Sequence, residues 1–99
     1  MEGAPLAIRQ LCEALLLLED VQTVEKFLKD LCTPAELSAL AERWRVCRLL
    51  RDGKHSYREI YALTGVSTAT VTRVARYLRD SSGGGYRAVL EKIEGKKKS

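Results

Sequence analysis

Residues 64–78 read TGVSTATVTRVARYL, and how this stretch folds decides the fold of the chain. By composition it argues for a strand. Its centre, VSTATVTRV at 66–74, holds three Val and three Thr, β-branched types that lose rotamer freedom on a helix and pack well on a pleated sheet. By period it argues for a helix, because Val71, Val74, Ala75 and Leu78 recur at helical spacing while Thr68, Thr72, Arg73 and Arg76 fall largely opposite. Strict alternation fails at Ala69-Thr70 and again at Val74-Ala75. Intrinsic preferences among these residue types differ by only a few tenths of a kcal/mol per residue, which packing overrides, so period decides.

Working outward, the residues on either side set this helix in a series. Gly65 is suited to the positive φ of a tight turn, Val66 to plugging the space between two helices, and Ser67 to capping the helix that follows. Upstream, Ser56-Tyr57-Arg58-Glu59 is a capping box that opens a short helix from Tyr57 to about Leu63. Thr33-Pro34-Ala35-Glu36 is a second such start, for a helix reaching about Arg51 and ended by Gly53. That helix is expected to bury Leu37, Leu40, Ala41, Trp44, Cys47 and Leu50, with Arg43, Arg45, Arg48 and Arg51 in other directions.

Two further helices precede it, from Leu6 to Leu18 and from about Asp20 to Leu31. The first is apolar on more than one stripe, and the second carries Val21, Val24, Phe27, Leu28 and Leu31 at helical spacing. In a chain of 99 residues so much apolar helix points to a dimer interface, with an ordinary intrachain core as the alternative. The run LCEALLLL at 11–18 is too short for a membrane span and contains Glu13. Downstream, DSSGGG at 80–85 is a break, a short helix follows from Tyr86 to about Glu94, and GKKKS at 95–99 reads as a frayed basic tail. The expected fold class is therefore all-α with about six helices in one domain, residues 1–94. Within it, 1–32 are dimerisation helices, 33–53 a central helix, 56–79 a helix-turn-helix and 86–94 a C-terminal helix.

Charge is divided along the chain. Residues 1–42 hold three basic and eight acidic residues, whereas residues 43–79 hold nine basic and two acidic ones. A molecule with one acidic and one basic half is expected to dock its basic face on a polyanion, although a solvated helical surface carries charge too. Cys12, Cys32 and Cys47 are odd in number and widely spaced, and His55 is the only histidine, so no metal site is expected. With no signal-peptide pattern before them, reduced thiols in a cytoplasmic protein are the expectation.

A short helix, a glycine turn and a second helix form the helix-turn-helix that inserts one helix into the major groove of double-stranded DNA. The small residues Ser67, Thr68 and Ala69 let the start of the second helix approach base edges and phosphates, where its free N–H groups favour an anion. Thr hydroxyls bond phosphates or bases, methyl groups touch thymine methyls, and Arg58, Arg73 and Arg76 neutralise phosphates. Tyr61 stands four residues before the turn glycine, where a small residue lets the helices cross closely. A Tyr there implies either an unusually open crossing or a side chain turned outward toward DNA, and the second is the expectation. The expected DNA-contact set is Ser56, Tyr57, Arg58, Tyr61, Ser67, Thr68, Ala69, Thr70, Thr72, Arg73 and Arg76. No nucleophile-base pair, carboxylate pair or phosphate loop is present, which argues against an enzyme. A helix-turn-helix dimer used as a protein-interaction adaptor is the rival reading.

The run LCTPAELSALAERWRVCRLLRDGKHSYREIYALTGVSTATVTRVARYL, residues 31–78, resembles the tryptophan-repressor family, most closely its YerC/YecD-like branch, as do FLKDLCT before it and GGGY after it. The resemblance implies an intertwined all-α homodimer whose N-terminal helices form the interface, acting as a transcriptional repressor with many phosphate- or water-mediated contacts. It also implies a candidate effector pocket. The family's corepressor lies between two arginines, whose matching positions are Arg43 and Arg73, with Thr33 and Thr70 on further matching positions. Val74 and Tyr77 stand where the repressor keeps small residues, so they are expected to fill the indole's space. The expectation is thus no cofactor, with a small-molecule effector left open but not tryptophan.

Overall fold

The computed structural model describes residues 3–80 and 84–98. It contains six helices: α1 (Gly3–Leu16), α2 (Val21–Leu31), α3 (Pro34–Asp52), α4 (Tyr57–Thr64), α5 (Thr68–Arg79) and α6 (Gly85–Lys98). No strand occurs among the described residues. The strand-like composition of 66–74 is accordingly overruled by its period.

The helix starts are built by side chains that return a bond to the backbone. Asp20 accepts from the Thr23 N–H at 2.7 Å to open α2. At α3 the Glu36 N–H donates to Thr33 Oγ1 at 3.1 Å, while the Thr33 N–H donates to Glu36 Oε1 at 2.8 Å. The same reciprocal pair joins Ser56 and Glu59 at α4, at 3.1 and 2.7 Å. These bonds satisfy donors that a helix start leaves unpaired, and they hold the Asp20, Glu36 and Glu59 carboxyls below their ordinary pKa values. Gly53 closes α3 at φ +69°, a conformation costly for any residue with a Cβ.

The chain divides after Leu37 into two units. In the first, no residue of α1 or α2 is buried, and Leu16, Leu17 and Val21 are 85, 79 and 77% exposed. The second has a dry centre drawn from four helices: Val46 and Cys47 of α3, Ile60 of α4, Val71 and Val74 of α5, and Leu90 of α6. Trp44, Leu49, Leu50, Val66, Leu78 and Tyr86 pack around it.

Several expectations need correction. Leu40 and Ala41 of the apolar stripe of α3 are exposed within one chain, and Val46 takes a fully buried position beside Cys47. The core forms only around the C-terminal half of α3, where residues from three other helices cover two adjacent positions. Helix α1 ends at Leu16, with the Leu17 and Leu18 amides bonding three residues back to Ala14 and Leu15 in a tightened final turn. The basic tail expected at 95–99 is helical through Lys98, while Ser99 lies outside the described residues. Gly95 costs a helix only about 1 kcal/mol relative to Ala. The turns before it are anchored by buried Leu90 and by the Arg51–Glu94 ion pair. Of the break at 80–85, residues 81–83 lie outside the described residues.

Candidate nucleic-acid interface

The α4–α5 turn is fixed by its own backbone and two hydroxyls. Gly65 adopts φ +72° and ψ +3°, and its N–H donates to the Tyr61 carbonyl at 2.8 Å, ending α4. Thr64 Oγ1 donates to the Ile60 carbonyl at 2.7 Å and accepts from the Val66 N–H at 3.2 Å. Val66 is thereby delivered to the core, as a plug between the two helices. Ser67 then caps α5: its Oγ accepts from the Thr70 N–H at 3.2 Å and donates to Thr70 Oγ1 at 3.0 Å.

The faces of α5 are sharply divided. Val71, Val74 and Ala75 are buried, while Thr68, Ala69, Thr72, Arg73 and Arg76 are exposed and Thr70 is half-buried. Thr72 Oγ1 donates to the Thr68 carbonyl at 2.9 Å, which leaves its oxygen lone pairs to face outward as acceptors. On and before α4, Ser56, Tyr57, Arg58 and Tyr61 are exposed, and Ile60 alone enters the core. Tyr61 is 49% exposed.

Among the described residues none of Arg58, Arg73 and Arg76 is in an ion pair, in contrast to Glu25–Lys29, Glu42–Arg45 and Arg51–Glu94. Arg73 and Arg76 instead lie on the ring of Tyr77, with guanidinium carbons 5.0 and 5.6 Å from its centroid. Such contacts orient a cation while leaving its charge unneutralised. The spacing of Tyr77, four and one residues from the two arginines, permits both contacts.

The candidate effector residues are only partly brought together. An open cavity of about 670 Å³ is lined by Arg43, Trp44, Arg73, Tyr77, Gly84, Gly85, Tyr86 and Val89. Arg43, Arg73 and Tyr77 are thus on its wall, whereas Val74, 1% exposed, belongs to the core and Thr70 is absent from the lining. The Val74 side chain packs on the core face of α5. Thr33 lies in the other unit, its hydroxyl committed to the Glu36 N–H. Trp44 and Tyr86, with ring centroids 6.3 Å apart, also line the cavity, and no local pattern in the sequence marks them as lining. Arg43 Nε is buried there without a hydrogen-bond partner. Burial pushes the Cys47 thiol up, away from nucleophilic chemistry.

Residues 7–94 match the family described as Trp repressor protein. The chain is 39% identical over 85 residues to the uncharacterized protein YerC of Bacillus subtilis, covering 86% of this chain and 80% of YerC. It is 35% identical over 75 residues to a Trp operon repressor homolog of Aliivibrio salmonicida, covering 76% of this chain and 69% of the homolog. The crystal structure of a TrpR-like protein from Eubacterium eligens superposes with a TM-score of 0.79 at 38% identity, over 89% of both chains.

Proposed function

The chain belongs to the Trp repressor protein family, a family of DNA-binding regulators rather than of enzymes, and from that premise we propose that it is a sequence-specific transcriptional repressor of double-stranded DNA. It acts as a cytoplasmic homodimer. The observation that carries the reading is the outer face of α5, where a Ser-capped helix start, exposed Thr68 and Thr72, and the unpaired charges of Arg73 and Arg76 stand opposite a buried valine face. In that role Arg58, Arg73 and Arg76 meet phosphates, while Ser67, Thr68, Ala69, Thr70 and Thr72 meet base edges or the phosphates beside them. Ser56, Tyr57 and Tyr61 flank them on the α4 side. The dimer reading is supported by α1 and α2, which bury no residue within one chain.

Selecting bound duplexes from a random pool tests this directly. The expected result is a two-fold-related site whose half-sites are about 34 Å apart, one turn of DNA. Recovery of no enriched duplex, with capture of a protein partner instead, contradicts it in favour of an adaptor.

Tryptophan is not the effector in this reading. The Arg73 guanidinium already lies on the Tyr77 ring, which occupies the cationic face that an incoming indole needs. Calorimetric titration with L-tryptophan is expected to give no saturable heat; saturable binding contradicts the assignment.

A further inference from the structure

The recognition helix is held at its far end by a residue from another element. The last carbonyls of an α-helix have no partner within the helix. In α5 the Arg76 carbonyl is taken by the Asp80 N–H at 2.8 Å. The next two after Tyr77 are taken by one side chain: Arg87 Nε donates to the Leu78 carbonyl at 2.9 Å, and its Nη2 donates to the Arg79 carbonyl. Arg87 sits in the first turn of α6, nine residues on from Leu78, and is half-buried. Its charge faces the negative end of the α5 dipole, the favourable sense. Only a planar fork spans two successive carbonyls with a fixed angle; an ammonium is a point donor.

Helix α6 is itself firmly placed. Tyr86 packs by Trp44 of α3, Leu90 is in the core, and Glu94 takes Arg51 of α3 in a two-bond pair at 2.8 and 2.9 Å. The fork therefore ties α5 to a brace anchored on α3. We propose that Arg87 is a positioning residue for DNA binding: it touches no DNA, yet it fixes the direction in which α5 presents Thr68, Thr72, Arg73 and Arg76. This rests on the reading of α5 as the helix that enters DNA.

The test uses the full chain, with a duplex that the wild-type chain selects from random DNA, and two variants, Arg87→Ala and Arg87→Lys. Amide exchange at Tyr77–Asp80 is expected to accelerate about tenfold in both, with the Val46 and Ile60 amides unchanged. Affinity for the duplex is expected to fall about fivefold to tenfold in both, with the dependence on salt unaltered. Full affinity in Arg87→Lys, or a salt slope reduced by about 1 in Arg87→Ala, makes Arg87 a phosphate contact and overturns the proposal. Uniform acceleration of all amides, or no change in exchange and affinity, overturns it as well. A wild-type chain that binds no duplex at low salt overturns the DNA reading and the positioning role together, while the exchange pattern still judges the clamp alone.

Discussion

The two units of this chain solve the same problem, what to do with apolar helix faces, in opposite ways. From Ser38 onward, residues of α3, α4, α5 and α6 converge on one dry cluster, and the exposed surface left over is basic along α5. Before it, α1 and α2 carry leucines and valines of which none is buried among the described residues, in a stretch whose net charge is acidic. The lesson is that apolar residues are as abundant where no core forms as where one does. Their partner, rather than their number, decides whether they are a core or an interface, and here the partner of the first unit is read as a second copy.

The strongest way to break that contrast is Leu15→Glu in α1. A two-fold interface suffers the change twice, each losing about 1.5–3 kcal/mol of leucine burial, so sedimentation is expected to find a dimer for the wild-type chain and a monomer for the variant. Unchanged assembly removes the interface role of the first unit. In the second unit Ile60→Ala is expected to cost about 2–5 kcal/mol in urea unfolding, a large share of the roughly 5–15 kcal/mol that such a domain has. A loss under about 1 kcal/mol contradicts a tightly packed centre at Ile60.

Smaller effects sharpen the division of α5. Arg76→Ala is expected to weaken all duplexes about equally and to lower the salt slope by about 1, whereas Thr68→Ala or Thr72→Ala changes sequence preference. Equal selectivity across the three variants contradicts the assignment of roles. Ser67→Ala removes the cap of α5 and is expected to cost about 1 kcal/mol in thermal or urea unfolding. The least effect is on pH. Glu59 is held below its ordinary 4.5 by the Ser56 backbone N–H, so its contribution is complete above that value and fades as pH falls through the folded one. Glu59→Gln is therefore expected to flatten the acid limb of the unfolding curve.

Much of this was legible in residue order. The two capping boxes, the turn at Gly65 and the buried valines of α5 follow from local chemistry and helical period, because each acts within four or five residues of chain. The rest depends on elements meeting at a distance. Val46 is buried because three other helices contribute to the cluster around it, and the cavity wall of Trp44, Tyr86 and Val89 exists because α6 returns beside α3. Val74 joins the same cluster, which its place on the helical period shows but the identity of its neighbours from other helices does not. Arg87 gave no local signal at all, since its partners are carbonyls, which no side-chain pattern announces.

The central claim, that the basic face of the second unit meets double-stranded DNA, is tested most directly by electrophoretic shift of a duplex at increasing salt. The account predicts binding at low ionic strength that weakens linearly on a log–log plot, with a slope set by the number of phosphates neutralised. Absence of any shift at low ionic strength contradicts it.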